Sequence, residues 1–526
     1  MTRRPVLGID LGTTYSCVAS LDENNRVSVL PNQEGDLTTP SVVFFEHSGN
    51  ATVGRFAKNE LRNEPGRVIS LIKRHMGEEG YTADVDDREL YPQQVSAIIL
   101  RQVVEDALTV LGAEVPETGP LADVVITVPA YFGAAERQAT RDAGEMAGLE
   151  VVNIINEPTA AAIAYGLVSA SAQERSVLVY DLGGGTFDVT VIKVSANEIR
   201  VVATGGDHRL GGADWDARIV ELVCDKFSAQ HPGSDPRTDL DAAGSIELLA
   251  EEAKKALSRR DGYTTTVIAN GERAKIEITR REYEEATADL VGRTVDFTRD
   301  VLGNARAKGV GQVDEFLLVG GMSHSPAVKE QLAREFPDLP TPQLADPDQI
   351  VAKGAALFAA NSVAESDGES SPAGRGLPGG ADLPRIVDVT SKGYGIAVVR
   401  DRGKHDSDLV VAWLIKPNDE IPARPHDTFR TVHDRQREVE ISVYESTTDV
   451  LSVELEDNLK LVEGLLTNLP PGPAGQPLEV AFNLEADGIL HITAVAANGE
   501  RIALEAKISG LVPEEVKRAP LPVLQR

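Results

Sequence analysis

Residues 9–14 read Ile9-Asp10-Leu11-Gly12-Thr13-Thr14, and residues 180–186 repeat the pattern as Tyr180-Asp181-Leu182-Gly183-Gly184-Gly185-Thr186. An apolar run precedes each copy and another follows it, which predicts two strands joined by a tight turn. Glycine lets the backbone of such a turn approach a ligand closely, and consecutive N–H groups there can bind an anion. The aspartate before each turn can hold a magnesium ion, which prefers oxygen ligands and keeps several waters. Two such turns from two similar halves predict a clamp around a polyphosphate.

The composition describes a long, acidic chain. Its 526 residues exceed one ordinary core, so we expect at least two domains, and a hydrophobic fraction of 42% suffices for packed cores. The net charge of −30 argues against a general affinity for nucleic acid phosphates and for anionic membrane surfaces. We therefore expect neither a nucleic acid nor a membrane partner.

The cysteine content and the apolar segments indicate the compartment. The chain contains two cysteines, too few for a disulfide framework, and Cys17 fits a small buried apolar residue. No apolar signal region opens the sequence, and no stretch approaches transmembrane length. These features favour a cytoplasmic protein, which we expect to be a monomer.

Up to about residue 360, strands and helices alternate as in an α/β domain. We predict strands at 124–129, 151–155 and 316–321, and helices at 134–147, 157–165 and 351–360. Residues 361–382 are then rich in Ser, Gly, Pro and Glu, which marks a domain boundary. They include a formal G-x-G-x-x-G at 374–379, but no strand precedes it and no helix follows, so we interpret it as linker.

The last part of the chain has the alternating pattern of β-strands. Val439, Ile441 and Val443 alternate with polar neighbours, and Asp487-Gly488 and Asn498-Gly499 are signals for two-residue hairpins. This predicts an antiparallel β-sandwich. The predicted divisions are an α/β domain at 1–360, a low-complexity stretch and linker at 361–388, the sandwich at 389–509 and a short tail at 510–526.

Five strings of the chain, in the right order, resemble the 70-kDa heat-shock chaperones. The strings are residues 8–18, 128–132, 156–161, 181–188 and 210–212. Residues 418–444 and 484–494 also fit the peptide-binding sandwich of that family. The resemblance implies an α/β nucleotide-binding domain of the actin, sugar-kinase and heat-shock-chaperone type, with duplicated halves, followed by an antiparallel β-sandwich.

The resemblance implies attack of water on the γ-phosphate of ATP, with ATP and Mg²⁺ as cofactors. Positioning and electrostatic stabilisation dominate such a reaction. Asp10 and Asp181 would organise magnesium through its waters. The implied catalytic residues are Lys73 beside the γ-phosphate and attacking water, Glu157 orienting water and magnesium, and Thr186 and Asp188. The implied phosphate cradle consists of Gly12, Thr13, Thr14, Tyr15, Gly183, Gly184, Gly185 and Thr186.

The adenosine end of the implied site lies on one helix and the glycines opposite it. The implied residues are Glu251, Lys254, Lys255, Ser258, Gly320, Gly321, His324 and Asp348. Helical spacing puts Glu251, Lys254 and Ser258 on one face. The family usually stacks adenine between two arginine-type side chains, whereas this chain offers Lys255 and His324.

From the residues alone, simpler interpretations stay open. Lys73 could be a solvated surface lysine, and Glu157 could be a carboxylate favoured by the dipole at a helix start. Glu251 and Lys254 could be a surface ion pair. The resemblance favours the functional roles over these interpretations.

The resemblance also implies that the sandwich binds extended apolar segments of unfolded proteins. The channel would be lined by Ile396, Val399, Phe429, Val439 and Ile441. Main-chain bonding with side-chain pockets gives affinity without strict sequence choice. Without the resemblance, the same five residues fit an ordinary sandwich core.

The linker departs from the family's apolar pattern, because it reads Leu383-Pro384-Arg385-Ile386-Val387-Asp388. Proline lacks an N–H donor, so we expect this strand to dock poorly on the nucleotide domain. Asn153 stands where the family generally carries an arginine used by the J-domain cochaperone. Regulation by a J-domain cochaperone therefore stays open, as does a nucleotide-exchange factor as partner.

The main hypothesis is an ATP-hydrolysing, chaperone-like protein whose nucleotide state modulates peptide binding. One alternative is a small-molecule kinase, since the same fold serves both functions, although a kinase would have no use for the sandwich. Another is a non-hydrolysing, nucleotide-sensing scaffold. Lys73, Glu157 and the two aspartates argue against the scaffold, while the altered linker favours a specialised role. Residues 510–516 resemble the approach to the family's helical lid, but the sequence stops at Arg526, so we expect no lid.

Adenine stacking on Lys255 and His324 should be weaker than on two arginines, because lysine lacks a planar guanidinium and neutral imidazole lacks charge. We therefore predict weaker ATP binding than is typical of the family, measured by calorimetric titration. Binding as tight as in the family would contradict this prediction.

Without a lid, bound peptide should dissociate quickly in both nucleotide states, because affinity differences appear mainly in dissociation rates. Fluorescence anisotropy of a labelled apolar peptide measures the rate. A slow dissociation that nucleotide controls would be the opposite of this expectation.

Overall fold

Two α/β lobes with the same strand pattern carry a β-sandwich on their surface, which confirms the predicted fold class. The structure is a computed structural model that describes residues 4–116, 118–168, 173–195, 197–344, 346–366, 384–400, 409–448, 450–505 and 512–525. The predicted linker motif at 374–379 and the predicted sandwich end near residue 509 lie outside these residues. None of the helices in the described part of the chain combines the length and the apolar character that crossing a bilayer requires.

Lobe I precedes residue 169 and contains eleven strands and four α-helices among its described residues. They are β1 Val6–Asp10, β2 Tyr15–Leu21, β3 Val27–Val29, β4 Thr39–Pro40, β5 Val43–Phe45, β6 Ala51–Val53, α1 Arg55–Asn59, β7 Val68–Ile69, β8 Ala83–Val85, β9 Arg88–Leu90, α2 Pro92–Leu111, β10 Asp123–Val128, α3 Ala134–Met146, β11 Glu150–Asn156 and α4 Glu157–Val168. Short 3₁₀ turns cover Glu60–Arg62, Pro65–Arg67 and Ile72–His75.

Lobe II follows and ends in a long helix. Its elements are β12 Arg175–Leu182, β13 Phe187–Val194, β14 Glu198–Asp207, α5 Gly212–Gln230, α6 Leu240–Leu257, β15 Gly262–Ala269, β16 Glu272–Thr279, α7 Arg280–Ala286, α8 Ala288–Ala307, β17 Glu315–Val319, α9 Pro326–Glu335, β18 Gln343–Leu344 and α10 Ile350–Ser366. Short 3₁₀ turns cover Pro236–Thr238 and Gly321–His324.

The two lobes repeat one sheet topology. In lobe I, β1, β2 and β3 form an antiparallel meander, and β10 and β11 add in parallel beside β1. In lobe II, β12, β13 and β14 form the same meander, and β17 and β18 add in parallel beside β12. The equivalent strands β1 and β12 therefore lead into the two glycine turns, which places Asp10 and Asp181 at matching positions of the two lobes.

Helix α10 packs on the sheet of lobe I and on helix α4 through small residues. Its alanines 352, 355, 356 and 359 are at most 1% exposed. A Cβ on Gly354 would lie 1.8 Å from the carbonyl oxygen of Ala160 in α4, so only glycine allows this close approach. The helix runs to Ser366, six residues past the predicted boundary at 360. Apolar residues at the start of the helix stabilise it, and it continues through residues 361–366, which composition alone assigned to the linker.

The linker docks on lobe II, which differs from the expectation of poor docking. Residues Arg385–Val389 form β19 and pair in parallel with β14, so the linker extends the sheet of lobe II. Val387 and Val389 are buried and supply the apolar contacts, while Arg385 stays exposed. Pro384 precedes the strand, where its missing N–H breaks none of its bonds.

The sandwich consists of two four-stranded antiparallel sheets. Its elements, with the helix after it, are β20 Tyr394–Val399, β21 Leu409–Ile415, β22 Glu420–Ile421, β23 His426–Arg430, β24 Val439–Ser446, β25 Asn458–Leu466, β26 Pro477–Leu484, β27 Leu490–Ala496, β28 Arg501–Glu505 and α11 Glu514–Lys517. The sheet orders are β21–β20–β24–β25 and β23–β26–β27–β28, and β22 pairs instead with β19. The two predicted hairpins join β26 to β27 and β27 to β28.

The linker aspartate makes its hydrogen bonds with lobe I. Asp388 accepts bonds from Asn156 Nδ2 and Thr159 Oγ1, both at 3.0 Å. Asn153, which the sequence singled out at this position, instead accepts a bond from the backbone N–H of Ile154. The linker is therefore fixed to both lobes at once.

The sandwich contacts lobe I at helix α3. A carboxylate oxygen of Glu445, 3% exposed, accepts a bond from the backbone N–H of Ala134 at 3.0 Å. Burial and the nearby Glu136 carboxylate raise the pKa of Glu445 to about 7. Arg141 and Asp487 form an ion pair across the same interface, with Nη2 and Oδ2 3.0 Å apart. The contact thus combines the buried carboxylate of Glu445, whose negative charge is poorly compensated, with the ion pair between Arg141 and Asp487.

Candidate functional site

The two glycine turns face each other at contact distance. A Cβ on Gly184 would lie 1.8 Å from Thr14 Oγ1, and a Cβ on Gly185 would lie 2.2 Å from Thr13 Cγ2. Gly184 and Gly185 of the second turn therefore each make room for a threonine of the first. Thr13 and Thr186 are 5% and 8% exposed, so their hydroxyls lie inside the cleft. The structure brings the two predicted halves of the phosphate cradle together.

Four carboxylates gather below these turns. Burial and the Glu157 carboxylate raise the pKa of Asp10 to about 7. The same two causes, in the same order, raise the pKa of Asp181 and of Asp188 well above the ordinary value. The cleft thus holds more negative charge than Lys73, the one buried lysine among the described residues, can compensate, and an added cation would be stabilised there.

The donor set fits a hydrated magnesium ion. Asp188 accepts a bond from the backbone N–H of Ala130 through Oδ1, while its buried Oδ2 has no hydrogen-bond partner among the residues that the structure describes. Thr127 Oγ1 lies 3.4 Å from Asp10 Oδ1. Among the described residues, no three carboxylate, imidazole or thiol groups converge closely enough to hold a metal ion by themselves. Oxygen ligands that leave space for water suit Mg²⁺, which keeps several waters when bound.

Lys73 is held deep in the cleft by its backbone and by an ion pair. Leu71 before it adopts a left-handed conformation with φ 56°, which is rare for a residue with a branched side chain. The following 3₁₀ turn directs Lys73 Nζ to Glu157 Oε1 at 2.7 Å. Lys73 is 4% exposed and also lies over the ring of Phe132, 5.7 Å from its centroid. The surface-lysine interpretation is therefore wrong.

Glu157 occupies the first residue of α4, where the N-terminal end of the helix favours a negative charge. Glu157 is 7% exposed, and the helix start alone does not explain why a carboxylate is buried this deeply. Inside the cleft, its carboxylate accepts a hydrogen bond from Lys73 Nζ. Both the dipole interpretation and the site interpretation of this residue are thus compatible with its position.

Arg74 is a site residue that sequence reasoning missed. Its guanidinium donates through Nε and Nη2 to the carbonyl oxygen of Gly185, at 3.0 and 2.8 Å. It also forms an ion pair with Asp214, with Nη2 and Oδ2 2.5 Å apart. Arg74 of lobe I thereby fixes the glycine turn of lobe II. In the sequence, only the position of Arg74 directly after Lys73 pointed to a role in the site.

A charged cluster closes the cleft above the phosphate cradle. Tyr15 donates its hydroxyl to Glu251 Oε1 at 2.8 Å, and Lys255 Nζ lies 2.6 Å from the same oxygen. Lys58, also missed from sequence, pairs with Glu251 and lies 4.9 Å from the centroid of the Tyr15 ring. Burial alone would raise the pKa of Glu251, but Lys58 and Lys255 outweigh burial and lower it to about 2. Glu251 therefore bridges the lobes rather than forming a surface pair with Lys254.

The other predicted adenosine residues lie on both sides of this cluster. Lys254 turns toward lobe II, where its Nζ lies 2.6 Å from Asp216 Oδ2 and 2.9 Å from the carbonyl oxygen of Gly212. Ser258 Oγ bonds back to the carbonyl oxygen of Lys254 at 3.1 Å.

The opposite wall is formed by the residues after β17. Gly320 approaches Asp181 closely, because a Cβ there would lie 2.5 Å from Asp181 Oδ1. A Cβ on Gly321 would lie 3.5 Å from Asp348 Oδ1. His324 Nε2 lies 3.7 Å from Asp348 Oδ2, and both side chains are about half exposed. The imidazole is thus available at the edge of the cleft.

In the sandwich, four of the five predicted channel residues belong to one apolar cluster. Ile396 and Ile441 are each 3% exposed, and Phe429 and Val439 pack against them. Val398, two residues from Ile396 and on the same face of β20, packs there as well. Val399 is half-buried at the end of that strand and pairs with Leu409 on β21. The structure thus groups Val398, and not Val399, with the other four.

Comparison with known proteins matches both domains. The family model described as Hsp70 protein matches residues 6–88 and 79–518. Chaperone protein DnaK of Thermotoga petrophila is 39% identical over 523 residues, which is 98% of this chain and 82% of the relative. Chaperone protein DnaK of Thermosipho africanus is 40% identical over 496 residues, which is 93% of this chain and 77% of the relative. A family model that spans both domains and relatives of this identity leave one assignment, and the chain belongs to the Hsp70 family.

Proposed function

We propose that this Hsp70-type chaperone hydrolyses ATP with Mg²⁺ and uses its nucleotide state to modulate binding of extended apolar segments of unfolded proteins. The observation that supports this most is the buried pair of Lys73 Nζ and Glu157 Oε1, 2.7 Å apart, in a cleft that also contains Asp10 and Asp181. A buried lysine and carboxylate below an anion-binding turn supply a charge for phosphate and an acceptor for water.

In the proposed reaction, Lys73 neutralises charge on the γ-phosphate, as a compact ammonium can do without bidentate geometry. Glu157 accepts a hydrogen bond from the attacking water and orients it. Thr13 and Thr186 donate their hydroxyls to phosphate oxygens, together with the backbone N–H groups of the two turns. These residues position the reactants, which is the main contribution a protein makes to phosphoryl transfer.

Bound Mg²⁺ would supply the positive charge that offsets charge developing on the phosphates. Asp10 and Asp181, one from each lobe, would hold the ion through its waters. Asp188, whose Oδ2 has no partner in the described part of the chain, would accept a bond from one of these waters. The raised pKa values of all three acids are consistent with carboxylates that need such a cation.

Adenosine would occupy the space between the cluster around Glu251 and the wall formed by His324 and Asp348. Lys255 is already engaged with Glu251 and Tyr15, at 2.6 and 3.0 Å. Its ammonium would have to leave these partners to stack on adenine, which supports the expectation of weak nucleotide binding.

The sandwich would bind peptide only after it rearranges. Ile396 and Ile441, proposed with Phe429, Val439 and Val399 as channel residues, are 3% exposed in the docked arrangement. The linker β19 joins the sheet of lobe II on one side and β22 of the sandwich on the other. A change in the angle between the lobes would therefore pull on the sandwich through a continuous sheet.

Steady-state ATPase rates with and without an apolar peptide test the proposal. We expect peptide to stimulate the rate, and Lys73→Ala to lower kcat by about 10²-fold or more, since a removed charge-stabilising donor has that size of effect. Lys275→Ala, which removes an exposed lysine of β16, is the matched control and should leave the rate unchanged.

Three results would count against the proposal. A rate that peptide does not change would leave an ATPase without coupling. An unaffected rate in Lys73→Ala would remove the proposed role of the buried pair. Transfer of labelled γ-phosphate to a metabolite rather than to water would favour a small-molecule kinase.

A further inference from the structure

The segment that follows the sandwich, residues 512–525, lies on lobe I. It begins with the buried Val512, continues through the four-residue helix α11 and ends as an extended strand. Its contacts fall on three parts of lobe I: the edge strand β6, the apolar core and helix α3. These contacts are independent of the nucleotide cleft.

The extended part of the segment pairs with the edge of a small sheet of lobe I through one β-bridge, between Leu524 and Ala51. The backbone N–H of Ala51 donates to the carbonyl oxygen of Val523, and the N–H of Gln525 donates to the carbonyl oxygen of Ala51, both at 3.0 Å. The two chains run in parallel at this bridge, which extends the sheet β7–β5–β6 at its edge. Pro520 and Pro522 lack N–H donors, so they stop further strands from adding to the new edge.

The segment offers both partly buried and exposed side chains close to its contact with β6. Leu521 and Leu524 pack against the apolar core of lobe I. Val523, between them, is 69% exposed. The two partly buried leucines are three residues apart and so do not follow the two-residue period of a strand, but they and the exposed Val523 provide buried and exposed positions for substitution.

An ion pair fixes the helical part of the segment to α3. Lys517 Nζ lies 2.7 Å from Asp142 Oδ2, and the Asp142 side chain is 4% exposed. The N-terminal end of the same helix carries the backbone N–H of Ala134 that binds Glu445 of the sandwich. Helix α3 is therefore contacted at one end by the sandwich and near its other end by the segment.

We propose that residues 512–525 act as a strap that holds the docked sandwich on lobe I. The sandwich is preceded by the linker, which contacts both lobes, and followed by this strap, which lies on lobe I, so the chain is held on both sides of the sandwich. Each contact is small, but each is intramolecular, which raises its effective concentration. Losing the strap should therefore loosen the linker as well, because both hold the sandwich against the lobes.

Hydrogen exchange of the full chain, followed by mass spectrometry, tests the strap. The variant is Leu521→Asp with Leu524→Asp, which places charge on the buried face. We expect exchange at Ala51–Val53 and at Ile386–Val389 to become faster by roughly ten-fold, as the loss of two apolar contacts would give. Val523→Asp introduces the same charge on the exposed face and should change neither segment. Exchange in α8 of lobe II should stay constant in all variants and checks that the fold is intact.

The outcomes separate the alternatives. Faster exchange at Ala51–Val53 with an unchanged linker would show a bound segment that does not hold the domains, and would overturn the proposal. No change at either place would show that the segment does not dock in solution. The strap acts in cis, so protection of Ala51 should not depend on protein concentration; protection only at high concentration would assign the strand to a second copy. Lys517→Ala gives a second, milder variant that should move both segments in the same direction.

Discussion

The constraint on which the structure depends is the charge in the cleft between the lobes. Asp10, Asp181, Asp188 and Glu157 face this space, and among the described residues Lys73 is the buried cation there. Burial and mutual repulsion make the ionised forms of these acids unfavourable, as the raised pKa of Asp10 to about 7 shows. The repulsion between these acids lowers the stability of the fold, and a hydrated divalent cation between them would offset it. The same charges that oppose folding therefore favour binding of a nucleotide that carries Mg²⁺.

Because the topology is duplicated, the acidic residues of the cleft come from both lobes, and the sheet of lobe II connects them to the sandwich. Equivalent strands deliver the two aspartates from separate lobes, so a ligand that binds both fixes the angle between them. The meander of lobe II continues through β19 to β22, which places the sandwich at the end of the same sheet. Arg74 crosses from lobe I to the turn at Gly185 and strengthens this link close to the phosphate cradle. The proposed nucleotide site and the sandwich are therefore linked through one continuous sheet.

Sequence reasoning reached the parts of this arrangement that local patterns encode. The glycine turns, the strands around them and the hairpins of the sandwich follow from short segments whose chemistry is self-contained, whereas the roles of Lys73 and Glu157 came from the family resemblance. Sequence reasoning did not identify Arg74 and Lys58 as site residues, because their partners lie far away in sequence and only the tertiary fold brings them together. The linker was predicted to dock poorly from its proline and arginine, whereas Val387 and Val389 supply the buried face and outweigh them. The strand at residues 523–525 has no sequence signal, since it depends on an open sheet edge elsewhere.

The most direct measurement is the unfolding midpoint temperature as a function of pH, in EDTA and in saturating Mg²⁺-ADP. In EDTA, Asp10 has a higher pKa in the folded chain than its ordinary value of 3.8, so the folded state binds more protons across that interval. Stability should therefore fall as pH rises from about 4 through about 7, and Mg²⁺-ADP should remove most of that fall because the ionised acids gain a cation. Asp181→Asn should weaken both effects. The same pH dependence with and without Mg²⁺-ADP would contradict the account.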